Sequence, residues 1–323
     1  MKTVFEARAS TILFRLARAL PPGPILLPAN VCPVVPLAMV LAGRPFEHLD
    51  LDPETLAMCP TLLRERLADD ERPVAAVLYV RTYGAVDNAS ALFSEIHVSG
   101  ALVIDDRCLA RPEPDPESYD DQGADVVLFS TGYSKPVDLG FGGFAHFHDQ
   151  VPYSDVTLEY HAEDLDQITE LYKRHIGSRT SMPLESLADF SWLDTRDPGC
   201  WAEHRRRLLA KRSEAEEHRA RLNAIYQGRL GNVALDSEAL DLSFHGWRFQ
   251  VRVPQRDTVL EAIFKAGHFA SAHYYPSSAL FGDSLDAAPV AKALADDVLN
   301  LFNDFHFDET AAKSVAEIVG DNT

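Results

Sequence analysis

Strand-like and helix-like segments alternate through the first half of this 323-residue chain. The alternation predicts an α/β protein: a mostly parallel sheet with helices on both faces, then a smaller C-terminal α+β domain. Three observations carry this expectation. The runs PVAAVLYV (73–80), GALVIDD (100–106) and ADVVLFS (124–130) are continuously apolar, as in strands buried on both faces. A helix-like segment, ASALFSEIHVSG, separates the first two. After about residue 150 the pattern gives way to helices, among them the long charged segment 200–230.

The N-terminal stretch MKTVFEARASTILFRLARAL has the pattern of an amphipathic helix, with residues 9–20 its clearest part. PILLPA (24–29) follows a Pro/Gly turn and suits a short strand. CPVVPLAMVLAG suits a helix opened by proline and closed by Gly43. PFEHLDLD suits a strand, and GGFAHFH (142–148) another. DLDQITELYKRHIG is helical in pattern. The charge run of 200–230 implies a solvated face, with Gly231 past the helix end. The remainder suits strand WRFQVRV, helix TVLEAIFKAG, strand ASAHYYP and helix APVAKALADDVLNLF. The chain length predicts about two domains, placed at 1–199 and 200–323.

Lys and Arg number 30 against 49 Asp and Glu, a formal charge of −19. Such a field repels nucleic acid and anionic membranes, so an anionic ligand needs a local positive site. Cys32, Cys59, Cys108 and Cys200 are scattered without a CxxC pair, which argues against a zinc knuckle. His146 and His148 share a strand face but lack a third metal ligand. No apolar run approaches a membrane span, and the N-terminus lacks a signal-peptide pattern. These features suggest a reducing, cytoplasmic setting.

The stretch FSTGYSKPVDLGFGGFAHF (129–147) concentrates the chemistry. Lys135 follows a buried strand and a small polar run that includes Ser130, in a sheet type that binds ligands at the carboxyl ends of its strands. The acidic pair Asp105 and Asp106 ends the preceding strand, and Tyr83 follows the strand before that. An amine, a carboxylate and hydroxyls beside free backbone N–H groups are what pyridoxal phosphate requires. The amine forms a Schiff base, the acid keeps the pyridine nitrogen protonated, and the hydroxyls hold phosphate.

Several blocks, in order, resemble the DegT/DnrJ/StrS group of pyridoxal phosphate-dependent sugar aminotransferases. They are ILLPANVCPVVPLAMVLAGRPFEHLDLD, VLYVRTYGAVDN, LVIDDRCLA, VLFSTGYSKPVDLGFGGFA and RDTVLEAIFKAGHFASAHYYP. The resemblance implies fold type I, with a sheet of the seven-stranded type. It implies that Lys135 holds the cofactor as a Schiff base and moves the proton of the 1,3-shift. Asp106 would face the pyridine nitrogen, and Ser130 the phosphate. Ser10 and Thr11 fall where the family's Ser-Gly-Thr opens a helix onto the phosphate. Asp105 takes the place of a family glutamate.

The departures from the family's pattern lie around the substrate. Leu109 stands where the family places Gln or His beside the cofactor's ring oxygen, and Cys32 where an aromatic often stacks on the ring. Arg81 replaces a histidine and would meet an anionic substrate or a core carboxylate. Arg179 falls where the family presents an asparagine to the partner subunit's phosphate. His273 and Tyr83 are further substrate-contact candidates, each with packing as the alternative. The resemblance thus implies a homodimeric enzyme with shared active sites that moves an amino group, plausibly from glutamate, to a keto-sugar or related carbonyl acceptor. The two departures at Leu109 and Cys32 leave open a dehydration or other elimination, and a third alternative is a degenerate family member that serves as a partner or sensor.

Overall fold

The computed structural model describes residues 1–235, 246–282 and 285–323. Its first half builds, in chain order, β1 (Lys2–Glu6), α1 (Ala9–Ala19), β2 (Ile25–Pro28), α2 (Val34–Leu41), β3 (Phe46–Leu49), α3 (Pro60–Leu67), β4 (Ala76–Val80), α4 (Ser90–Val98), β5 (Leu102–Asp106), β6 (Val126–Ser130) and β7 (Gly143–Phe147). The seven strands form one sheet in the order β1-β7-β6-β5-β4-β2-β3. Strands β3, β2, β4, β5 and β6 are parallel, and β7 runs antiparallel to both of its neighbours.

Alternate residues of each strand enter opposite layers. Ile25, Leu27, Leu78, Ile104, Val126 and Leu128 pack with Ile12 and Leu16 of α1 and Ala38 of α2. Leu26, Val77, Val103, Val127 and Phe129 pack with Leu63 of α3, and with Phe93 and Ile96 of α4. Both faces are covered, so apolar residues run unbroken along the central strands.

The N-terminal helix expected from the opening residues begins only at Ala9; residues 2–6 are a strand instead. In β1, Val4 and Glu6 turn inward, an alternation of period two. The open edge of β7 takes up the backbone N–H and C=O groups of β1, with Thr3 opposite His146. Their side chains also meet, Thr3 Oγ1 lying 3.0 Å from His146 Nδ1.

The second half holds α5 (Ala162–Ser178), α6 (Leu184–Leu187), α7 (Trp201–Leu230), β8 (Phe249–Arg252), α8 (Arg256–Lys265), β9 (Ala270–Ala272), α9 (Ser277–Leu280), α10 (Pro289–Asp297), β10 (Val298–Leu301) and α11 (Glu309–Gly320). Strands β8, β10 and β9 form an antiparallel sheet with β10 in the centre. The helix expected over 288–302 therefore stops at Asp297. Asp296 and Asp297 oppose the helix dipole at its C-terminal end. The apolar VLNL that follows gains two strand partners by leaving the helix.

Helix α7 has the expected solvated face, but its buried stripe runs through His204, Leu208, Ala215, Arg219, Leu222, Tyr226 and Leu230. One cation of the charge run, Arg219, thus points inward. Among the described residues no helix is long and apolar enough to cross a membrane.

Candidate active site

The carboxyl ends of β2, β5 and β6 meet the N-terminus of α1 around a cavity of about 710 Å³. Period two decides which side chains reach it. Asp106 follows the parity of Ile104, and Ser130 that of Val126 and Leu128, so both face the α1 side of the sheet. Asp106, Ser130, Lys135, Cys32 and Ser10 all line this one cavity. It lies at the C-terminal edge of a parallel sheet, where such folds hold ligands.

The Asp106 carboxyl is 6% exposed, and its Oδ1 accepts the Cys108 backbone N–H at 2.9 Å. Burial raises its pKa; the Cys108 thiol and N–H and the Lys135 cation only partly offset that. A buried carboxylate that is only partly compensated favours a further cationic or N–H partner. Lys135 has no ion-pair partner among the described residues, so its amine is available to the cavity. Helix α1 carries no side-chain N-cap, and its first residues, Ala9 and Ser10, line the cavity. Its N–H groups and dipole therefore favour an anion there. Ser130 Oγ receives only a 3.4 Å contact from the Gly132 N–H.

The other predicted residues separate into three groups. Leu109, Tyr83 and His273 line a smaller chamber of about 40 Å³ that adjoins Lys135 and Asp106. Tyr83 Oη and His273 Nδ1 are 2.7 Å apart, and burial depresses the His273 imidazole to about 3. Thr11 is fully buried and donates to the Asp194 carbonyl at 2.8 Å, so it lies outside the cavity wall. Arg81 also lies away from it: the core-carboxylate alternative is the one observed, not substrate contact. Arg81 Nε and Nη2 lie 2.7 and 3.0 Å from the Asp105 carboxylate, and Nη1 2.5 Å from Asp87. Burial opposes the guanidinium charge, but the two carboxylates outweigh it and its pKa rises. Asp105, on the opposite parity from Asp106, is thereby committed to Arg81 and Arg107. Arg179 caps α5 at φ 54° and lines another cleft, with Arg256 and Lys292, that meets the cavity at Tyr274.

Gly142 and Gly143 each make a close protein contact. A Cβ on Gly143 would lie 2.1 Å from the Ala9 nitrogen, so the start of α1 rests directly on β7. One on Gly142 would lie 2.6 Å from His204 Cε1.

Several cavity residues escape sequence reasoning. Trp192, Asp194 and Arg196 come from the irregular segment after α6, which has no periodic signal. The Thr11 bond and a 2.9 Å bond from Arg15 Nη2 to the Thr195 carbonyl strap that segment to α1. Trp247 and Tyr274 enter from the second half of the chain. Tyr274 has a visible signal, since it adjoins His273 in AHYYP.

Among known structures, S. venezuelae DesV in complex with a ketimine intermediate aligns at TM-score 0.70 and 21% identity. The alignment covers 99% of this chain and 84% of that one. A DegT DnrJ EryC1 StrS aminotransferase from Brucella abortus aligns at TM-score 0.70 and 16% identity, covering 100% and 86%. DesI in the presence of its TDP-sugar product aligns at TM-score 0.70 and 19% identity, covering 99% and 80%. No family model and no curated protein matches the sequence. The chain therefore has the fold of PLP-dependent aminotransferases of fold type I, with sequence similarity too low to carry more than the fold.

Proposed function

We propose that this chain is a pyridoxal phosphate-dependent aminotransferase that moves an amino group from an amino acid, with glutamate as the donor, to a keto-sugar or related carbonyl acceptor. One observation carries the proposal: a lysine amine, a buried carboxylate, a hydroxyl and an uncapped helix N-terminus converge on one cavity. Those groups match the aldehyde, pyridine nitrogen and phosphate of the cofactor. The volume is in the range of sites for small organic ligands. The fold shared with DesI, whose structure was solved in the presence of its TDP-sugar product, supports a sugar acceptor.

Bound there, pyridoxal phosphate supplies a carbonyl that condenses with amines and a ring that accepts electron density. Lys135 would anchor that carbonyl, and its amine would take and return the proton at the donor's α-carbon. Asp106 would hold a proton on the pyridine nitrogen by charge pairing. Ser10, Ser130 and the first N–H groups of α1 orient the phosphate. Trp192 and Tyr274 wall the cavity beside the reacting centre.

The same reading divides the chain at residues 199 and 200 into a cofactor-binding domain and a smaller domain. It makes the enzyme a homodimer in which Arg179, which does not line the cavity of its own chain, serves the partner's phosphate. The four free thiols support a reducing, cytoplasmic setting.

The test is spectroscopic. Purified protein given pyridoxal phosphate is expected to show a visible band that Lys135→Ala abolishes and borohydride fixes to Lys135. Glutamate is expected to bleach the band with release of 2-oxoglutarate. A wild-type protein that remains colourless with added cofactor overturns the proposal. A band that no amino donor bleaches favours the elimination alternative raised by Leu109 and Cys32.

A further inference from the structure

The residues just before and after the Lys135 amide are held by a set of donors that the catalytic scheme does not use. Ser134 sits at φ 62°, a left-handed conformation unfavourable for a residue with a side chain. Such strain persists only where the surroundings over-determine it. Here three consecutive carbonyls are fixed. Trp247 Nε1 donates to Ser134 O at 2.5 Å. Arg219 Nη2 donates to Lys135 O at 2.9 Å, and Arg219 Nε to Pro136 O at 3.1 Å. Asp138 Oδ2 accepts the Ser134 N–H at 2.8 Å, and Pro136 restricts the backbone of Lys135 itself.

Arg219 is an unusual choice for this task. It is 5% exposed, and no carboxylate lies within ion-pair range of it among the described residues. Its remaining donor, Nη1, reaches the Trp247 carbonyl at 2.7 Å and also Asn303 Oδ1. Arg248 adds a second buried cation nearby, paired to Asp304 at 2.9 Å. A buried guanidinium satisfied by neutral acceptors carries a desolvation cost that an apolar side chain would avoid. What it provides is a planar fork reaching two adjacent carbonyls at once.

We propose that Arg219, with Trp247, is the positioning device of the catalytic lysine. The pair ties the backbone of residues 134–136 to α7 and to the entry of β8, and so fixes where the Lys135 amine meets the cofactor carbonyl. The inference rests on the proposed pyridoxal phosphate chemistry and adds the residues that orient its nucleophile. Arg219 and Trp247 act through Lys135 and do not themselves exchange a proton or form a bond.

The experiment compares Arg219→Lys, Arg219→Met and Trp247→Phe with the wild-type apoprotein. Two quantities are measured: the rate at which the visible band forms on adding pyridoxal phosphate, and the Kd for pyridoxine phosphate. The latter carries the phosphate and ring but no carbonyl. Misplacing a reacting group by about 1 Å costs up to roughly a hundredfold in rate, so Arg219→Met is expected to slow band formation by about ten- to a hundredfold. Its Kd for pyridoxine phosphate is expected to stay within about threefold, a difference of less than one kcal/mol. Arg219→Lys, a single-point donor, should recover part of the rate, and Trp247→Phe should show a smaller defect of the same kind.

Wild-type band formation in all three variants overturns the inference. So does a loss of pyridoxine phosphate binding equal to the loss of rate, because the residues would then serve general packing. Thermal melting separates misfolding: if Arg219→Met fails to fold, Trp247→Phe carries the comparison. A wild-type protein that forms no band overturns the pyridoxal phosphate reading, and the positioning role falls with it.

Discussion

At the scale of single residues, Asp105 and Asp106 are adjacent acids with opposite fates. Asp105 faces Arg81 and Arg107 in the core; Asp106 faces the cavity with burial raising its pKa. A group whose folded pKa is raised contributes stability below its unfolded value and loses it as pH rises through the folded value. Ionised Asp106 therefore destabilises the apoprotein at neutral pH. Asp106→Asn is expected to raise the melting temperature of the apoprotein near pH 7, while lowering the proposed aminotransferase activity by roughly a hundredfold or more. A calorimetric scan and a coupled assay check both halves. A variant that is less stable and equally active would refute the assignment. Period two in VIDD makes these separate faces visible in the sequence. Which face holds the ligand is not visible there, because that depends on where α1 docks.

At the scale of elements, α1 and β7 are placed by one glycine. The start of α1 lies so close to Gly143 that a Cβ would collide with backbone, which cannot rotate aside. Gly143→Ala is expected to cost about 1–3 kcal/mol of stability by overpacking. It should also weaken the proposed binding of pyridoxal phosphate, since Ala9 and Ser10 line the cavity. Urea denaturation and a cofactor titration measure the two effects; unchanged binding would show that α1 tolerates the shift.

The double glycine is easily seen in the sequence, but its reason is a tertiary contact 134 residues away from Ala9. The same limit applies to β1 and β10. Both are short segments adjoining helix-forming residues, and each becomes a strand because a sheet offers it partners. Arg219 is a third case. Its spacing from Ala215, Leu222 and Tyr226 marks a buried position, yet the surrounding charge run conceals it.

At the scale of the whole molecule, burial of neutral histidines makes the fold sensitive to acid. His204 lies between Thr131, Phe5 and Trp201, and burial, helped by Arg207, depresses it from 6.5 to about 4. His273 is depressed further, to about 3. The unfolded chain takes up protons at 6.5 that the folded chain refuses, so their contribution is complete above pH 6.5 and is lost as pH falls toward 4. Denaturant midpoints are expected to fall across that window. His204→Gln should flatten the decline relative to wild type, and parallel curves for the two proteins would contradict the assignment.

The sequence alone determines the alternation of buried strands and helices, the position of Lys135, Asp106 and Ser130 at strand ends, and the excess of negative charge. These are local or periodic properties, set by burial on two faces and by residue type. Tertiary structure decides which of the predicted residues share a cavity. It removes Thr11 to the Asp194 carbonyl and Arg81 to Asp105, and brings in Trp192, Trp247 and Tyr274. It also turns Arg219 toward the lysine loop. Those assignments depend on how α1, α7 and the segment after α6 pack against the sheet, contacts between residues too distant along the chain to leave a local pattern.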